Sequence, residues 1–179
     1  MSGIEKIRTN RIGINRRPAR ISQLMPGIRS ASPSDATEIV RVVNAAFEVE
    51  RPMRARGERT SLENIQELMQ HDTFFVAEQD AEIVGAVFAR ISGTTGYFGM
   101  LSVAQELRGV GLGRRLRETA EQFCKQRGCT EMTLTTGAFR TELIPYYEHA
   151  GYRIVRIEPG PAAWGFAKAF EVVHMAKPL

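Results

Sequence analysis

The sequence predicts one mixed α/β domain with a largely antiparallel sheet and a single parallel crossover. Three observations predict it. Segments of period-two and period-3.6 apolar patterning follow one another in the order β-α-α-β-β-β-α-β-α-β-β. The strand at 97–103 runs into three alternate glycines and then a helical run, which is how a right-handed crossover between parallel strands is built. The chain has 179 residues, 43% of them hydrophobic, enough for one core without disulfides or metals.

The elements follow in order. The basic stretch 1–27 has little hydrophobic periodicity and is expected to be a flexible tail, so the ordered domain is expected to span 28–179. "SPSD" at 32–35 signals a helix start, with Ser32 as N-cap, Pro33 first in the helix and Asp35 closing a capping box. Ile39, Val40, Val43, Ala46 and Phe47 then recur at helical spacing, to an end near Glu48. Residues 51–60 read as a loop. Thr60 or Ser61 caps a second helix with Leu62, Ile65, Leu68 and Met69 on one face. Residues 73–79 and 82–91 read as a hairpin around Asp80-Ala81. "SGTTG" (92–96) reads as a loop, and 97–103 as a third strand with Gly99 as a candidate bulge. The glycine-led helix runs to about Arg127, where Gly128 suits the C′ position. Residues 131–136 read as a strand, 140–151 as a helix, and 152–158 and 169–179 as two closing strands.

Charge divides the chain unevenly. Residues 1–29 hold seven basic side chains against Glu5 alone, a net of six positive charges; with +4 overall, the remainder carries a net of −2. The basicity therefore belongs to the tail, which argues against a nucleic-acid-binding domain. Read by itself, the tail is a solvated extension, an Arg-rich mitochondrial presequence or a polyanion-binding arm. No apolar run approaches the about 18 residues needed to cross a bilayer. Cys124 and Cys129 are not in a CxxC pair and the three histidines are scattered, so no metal site is expected. Two such cysteines fit reduced thiols and a cytoplasmic setting, with the mitochondrial matrix as the alternative.

The stretch "VAQELRGVGLGRRL" (103–116) carries the chemistry. A glycine loop between a strand and a helix leaves backbone N–H groups unpaired at the positive end of the helix dipole, which suits an anion. Arg108 and Arg114 add charge at its two ends. The stretch lacks the GxGxxG of dinucleotide-binding folds and the GxxxxGK of P-loops. By itself it is equally a plain turn feeding a helix.

Its context narrows the reading. "RGVGLG" has the form Arg/Gln-x-x-Gly-x-Gly/Ala, it follows a strand ending "MLSV", and "YYEHAGY" comes after one further helix and strand. With the opening "IRSASPSDATEIVRVVNAAF", this resembles the GNAT superfamily of acyl-CoA-dependent N-acyltransferases over residues 28–179. The resemblance implies a fold in which a bulge splays the 97–103 strand from the 131–136 strand and opens a slot for acetyl-CoA. It implies that the backbone of Leu101, Ser102 and Val103 pairs with the pantetheine arm. It implies that Arg108, Gly109, Val110, Gly111, Leu112, Gly113 and Arg114 hold the pyrophosphate. Val103 N–H would polarise the thioester carbonyl, and Tyr147 would protonate the leaving thiolate. Tyr147 also reads as a packed core aromatic. Tyr146 lies about 100° round the helix and reads as core or acceptor-pocket wall.

The implied reaction is direct attack of a primary amine on the acetyl-CoA carbonyl through a tetrahedral intermediate. Two departures from the family pattern stand out. The 97–103 strand has no acid to serve as base, which leaves Glu48, Glu50, Glu58 and Glu142 as candidates, each of which also reads as solvated surface. Arg140 stands where an asparagine is common, and could contact the cofactor or an anionic acceptor. Arg51, Arg54, Arg56 and Arg59 form either a solvated loop or a carboxylate- or phosphate-recognising acceptor loop. Trp164 reads as a pocket wall or a packed surface residue. The expected function is an N-acetyltransferase acting on a small amine. Its alternatives are a protein N-terminal or lysine acetyltransferase, and a non-catalytic acyl-CoA sensor. Membrane and nucleic-acid partners are not expected; a homodimer is compatible with the family resemblance.

Overall fold

The alternation along 73–103 sorts apolar side chains to two faces of one sheet, and helices cover both. In the computed structural model, residues 25–55 and 57–179 are described; most of the tail expectation thus lies outside the described residues. The strands are β1 (Gly27–Ser30), β2 (Thr73–Gln79), β3 (Glu82–Ser92), β4 (Thr95–Val103), β5 (Glu131–Gly137), β6 (Arg153–Pro159) and β7 (Glu171–Pro178). They form one sheet in the order β1-β2-β3-β4-β5-β7-β6. Every pairing is antiparallel except β4 with β5. The mixed α/β class, the element order and the crossover match the sequence reading.

The helices are α1 (Ala36–Ala46), α2 (Leu62–His71), α3 (Leu112–Gln126) and α4 (Leu143–His149). Phe74, Val76, Ala86 and Phe88 face α1 and α2, where they meet Ile39, Val42, Val43 and Ile65. Phe75, Ala77, Val87, Ala89 and Phe98 face α3, where they meet Leu112, Leu116, Ala120 and Cys124. Those four α3 positions recur every fourth residue, one apolar stripe along the helix. The helix lies close against the sheet because Gly85 and Gly96 have no side chain: an added Cβ would stand 2.8 Å from Leu116 Cδ1 and 2.8 Å from Cys124 Cβ.

Several boundaries differ from the sequence reading for local reasons. Pro33–Asp35 winds as a 3-10 turn, so α1 begins at Ala36. There the Asp35 carboxylate accepts from Ser32 N–H at 2.7 Å and from Arg29 Nη1 at 2.7 Å. Ser61 is the α2 cap, its hydroxyl accepting from Asn64 N–H at 3.2 Å. The expected 92–96 loop is instead a two-residue hairpin turn. Ser92 pairs with Thr95, and Gly93 at φ +58° makes the turn. Residues 140–142 form a turn rather than a helix; Leu143 N–H bonds to Arg140 C=O, and α4 starts there. Pro145 thereby falls in the first turn, where its missing N–H costs nothing.

Candidate active site

The bulge that opens the site lies at Met100 and Leu101, one residue beyond Gly99. Ala86 faces Ser102 and Phe88 faces Gly99, so Val87 alone stands opposite two residues of β4. Met100 takes the left-handed conformation at φ +52°, and the Ser102 hydroxyl donates to its carbonyl at 2.9 Å. Gly99 serves otherwise: a Cβ there would stand 2.6 Å from the Phe88 ring. β4 has already left β5 by this point: the parallel pairing ends at Tyr97–Thr133, ahead of the bulge.

The ladder then decides where the Val103 backbone points. Ala104 N–H donates to Val84 C=O at 2.8 Å. In an antiparallel pair hydrogen-bonded and non-hydrogen-bonded positions alternate. The next pair, Gly85–Val103, is therefore the non-bonded kind, and Val103 turns its N–H and C=O away from β3 into the gap left by β5. Arg108 Nε reaches that carbonyl at 3.5 Å and its Nη2 reaches Ala46 C=O at 3.4 Å. The Arg108 side chain thus lies across the mouth of the gap.

The loop from 104 to 111 ends in a run of free donors. Leu107 and Arg108 N–H bond back to Ala104 and Gln105. Gly109, Val110 and Gly111 N–H find no backbone acceptor among the described residues. The first three residues of α3, Leu112, Gly113 and Arg114, lack one by helix geometry. Gly109 at φ +80° and Gly111 at φ +90° supply the left-handed turns that aim these groups. Gly113 has an ordinary φ, and a Cβ there would come no nearer than 3.6 Å to Val103 Cγ2. The Arg114 guanidinium is drawn outward to Glu118 at 2.8 Å and is 71% exposed. Six consecutive N–H groups at a helix N-terminus fit a pyrophosphate.

One cleft of about 570 Å³ joins this loop to β4, β5 and α4. It brings together Leu101, Val103, Arg108, Gly109, Gly111, Gly113, Arg114, Arg140 and Tyr147 of the expected site. Ser102 and Leu112 turn their side chains into the interior, so these two can contribute only through the backbone; Val110 is half exposed and does not line the cleft. Tyr147 is buried against Phe98 and Tyr152, with ring centroids 5.9 and 6.0 Å away. Burial pushes its phenol well above the ordinary value, and Tyr146 beside it adds to the shift. Its hydroxyl has no hydrogen-bond partner among the described residues. Tyr146 is not core: it is 38% exposed, and its hydroxyl lies 3.9 Å from where a Gly113 Cβ would be, at the glycine end of the cleft.

The other end is built from side chains. Glu50 is 5% exposed and sits among Arg140 at 3.1 Å, Arg54 at 3.3 Å and Arg59 at 3.9 Å. Arg140 also holds Glu142 at 2.7 Å. It is thus engaged by two carboxylates rather than aimed at the glycine loop. Burial tends to raise the Glu142 pKa, but the Arg140 hydrogen bond, a backbone hydrogen bond and the Arg140 charge together outweigh it and the net shift is downward. Glu48 pairs with Arg51 at 2.8 Å, and Glu58 accepts from Asn44 at 2.7 Å. Each candidate base is therefore already held by a donor. Trp164 lines the cleft, as the pocket-wall reading expects. Phe47, Phe139, Phe166 and Phe170 line it too, as does Tyr97, whose hydroxyl meets Thr135 Oγ1 at 2.9 Å. The sequence reading missed these as site residues. The clustering of Trp164, Phe166 and Phe170 in one short loop was the available signal.

Among the described residues no helix is long and apolar enough to cross a membrane, and no cluster of His, Cys, Asp or Glu could hold a metal ion.

A splayed parallel pair with a donor-rich loop at one end defines a domain made to hold an extended, anion-tipped ligand between its strands. The family comparison says which class this is. Residues 37–152 match the model of the "Acetyltransferase (GNAT) family", and the chain belongs to that family. A "Probable N-acetyltransferase camello" of Xenopus tropicalis is 28% identical over 122 residues, covering 66% of this chain and 56% of the relative. A "Mycothiol acetyltransferase" of Cellulomonas flavigena is 24% identical over 170 residues, covering 84% and 49%. The chain spans about half the length of the curated relatives it matches. Among solved structures, "Ard1 from Thermoplasma volcanium" superposes with a TM-score of 0.71 at 18% identity, over 86% of this chain and 97% of that one. The "Ribosomal-protein-alanine N-acetyltransferase from Brucella melitensis" gives 0.68 at 21%, over 86% and 99%. At that identity these structures speak for the fold alone.

Proposed function

We propose that the chain is an N-acetyltransferase that moves the acetyl group of acetyl-CoA to the primary amine of a small metabolite. One observation carries the reading: β4 turns the Val103 N–H and C=O away from β3, the carbonyl met only by Arg108 Nε at 3.5 Å, in the same cleft that ends at the donors of residues 109–114. Their spacing along one strand and one loop suits the pantetheine arm and the pyrophosphate of a single cofactor.

Leu101 to Val103 pair with the pantetheine arm as an added strand does. Arg108 must release the Val103 carbonyl for this to happen. The N–H groups of 109–114 take the pyrophosphate. Val103 N–H donates to the thioester oxygen as negative charge grows there. The amine nitrogen bonds to the acetyl carbon, the carbon–sulfur bond breaks, Tyr147 gives its proton to the departing sulfur, and the proton that nitrogen loses as the amide forms restores the Tyr147 phenol through solvent. Burial keeps that phenol protonated, so its proton is present when the sulfur departs. The ammonium form of the acceptor cannot attack. Its proton goes to solvent, since both carboxylates lining the cleft, Glu50 and Glu142, are held by Arg140.

The test is release of free CoA across amino acids, polyamines, aminoglycosides and basic peptides, with Tyr147→Phe alongside. Turnover on one acceptor class, cut at least about tenfold in kcat by the substitution, is the expected result. The raised phenol pKa sets a sign as well: Tyr147 stays protonated, so kcat does not fall between about pH 8 and 10 on its account. Tight acetyl-CoA binding without turnover on any acceptor would instead identify a sensor.

A further inference from the structure

The acceptor end holds three guanidiniums, and they are not equivalent. Arg54 is occupied: it meets Glu50 at 3.3 Å and the Trp164 carbonyl at 3.4 Å, and stacks 4.9 Å from the centre of Phe166. Arg140 is occupied by Glu50 and Glu142. Arg59 has no such partner among the described residues. Its nearest carboxylate oxygen is 3.9 Å away, outside hydrogen-bond range. Its Nε, like that of Arg54, is buried with nothing to donate to, but unlike Arg54 it makes no hydrogen bond through its other nitrogens among the described residues. It is held by rings instead, 4.9 Å from the centre of Phe47 and 5.7 Å from that of Trp164, and it lines the cleft. Burial lowers its pKa, as expected for a cation short of anions.

A guanidinium fixed by stacking, with donors unspent and facing a cleft, is arranged to receive an anion. We propose that Arg59 binds a carboxylate of the acceptor, so that the acceptor is an apolar amino acid or a close analogue rather than a simple amine. The inference rests on the acetyl-transfer reading. A carboxylate fits better than a phosphate because one unspent cation balances one negative charge; Arg54 and Arg140 are already engaged. The apolar part follows from the neighbouring wall, where Phe166 stacks 4.4 Å from Phe170 and 5.4 Å from Phe139. Arg59 would thus set specificity, and the amine of the same small molecule would reach the thioester.

The test compares apolar amino acids, phenylalanine and leucine among them, with their carboxamides. Turnover is read as kcat/KM, and binding is read by calorimetry in the presence of CoA. The wild type is expected to prefer the acid over the amide at least tenfold in both readouts. Arg59→Gln should collapse that preference towards one, and Arg59→Lys should restore part of it. Equal handling of acid and amide by the wild type, preference for the amide, or no measurable binding of either overturns the proposal without recourse to any variant. An equal loss on both acceptors in a folded Arg59→Gln protein overturns it too. Arg59-dependent acid preference in binding with no turnover keeps this inference and removes the acetyl-transfer reading. Turnover of amines without acid preference does the reverse.

Discussion

The two ends of the cleft are made of different material. The cofactor end is backbone: a bulge, two left-handed glycines and the first turn of α3 present N–H groups, with few side chains involved. The acceptor end is side chain: Phe47, Glu50, Arg59, Tyr97, Arg140 and Trp164 arrive from segments far apart in sequence. Backbone geometry tolerates side-chain replacement, so the first end can stay fixed while the second changes. The difference can be tested by substitutions that separate backbone from side chain.

The sharpest separation is at Val103. Val103→Pro removes the N–H while leaving a strand-compatible residue, at a position where the ladder does not use that N–H. If it stabilises the oxyanion, kcat should fall by about 100- to 1000-fold. Val103→Ala keeps the N–H and should change kcat far less. Similar losses in both variants, with melting temperatures near wild type, would place the contribution in the side chain and break the comparison.

The acceptor end should respond in the opposite way, through charge. Glu50→Gln keeps the shape but leaves Arg54, Arg59 and Arg140 facing one another with only the exposed Glu142 nearby. Breaking a buried ion cluster from one side costs about 3–5 kcal/mol. Arg59 and Arg140 are partly accessible through the cleft, so the lower end applies. Urea unfolding should show that loss. Added acetate or chloride should recover part of it, because an anion can enter where the carboxylate was. A stability change under about 0.5 kcal/mol, the range of an ordinary surface substitution, would mean the cluster is not a charge-balanced unit.

The same contrast governed what could be read from the sequence. The cofactor end is local, so its glycines, its strand and its helix start were legible within about fifteen residues. The position of the bulge was not; Gly99 invited it, but Gly99 is needed for the Phe88 ring, and Met100 takes the unusual φ instead. The hairpin at Gly93 was hidden because "SGTTG" has the composition of a longer loop. At the acceptor end, Arg140 and Glu50 were each flagged, but as a contact for the cofactor or an anionic acceptor and as a base, not as partners of each other. Ninety residues separate them, and no periodicity reports a pairing at that range. The Phe139, Phe166 and Phe170 wall was missed for the same reason. The aromatic residues read as ordinary apolar positions until β7 brings their loop back against residues 53–55, where Ala167 N–H meets Met53 C=O and Ala55 N–H meets Gly165 C=O.

A smaller effect sharpens the claim that conformation, not side-chain identity, makes the cofactor end. Gly111 sits at φ +90° as the residue before α3, and a Cβ there would meet nothing within 4 Å. Space is therefore not what excludes alanine; the left-handed backbone is, at about 1–2 kcal/mol. Gly113, at an ordinary φ and with no atom nearer than 3.6 Å, has no such cost; alanine in the first turn of α3 should be neutral or mildly stabilising. Gly111→Ala should lower the melting temperature by about 2–6 °C, and Gly113→Ala should not lower it. Binding splits the pair along a second axis. Gly113→Ala adds a methyl group facing Val103 and Tyr146, so it should weaken acetyl-CoA binding only if the cofactor passes close to that helix turn. Gly111→Ala should weaken it by re-aiming the donors of 109–112. Equal melting temperatures for the two variants would show that the loop relaxes around position 111, and the account of a conformationally fixed anion cradle would then give way to one set by side chains.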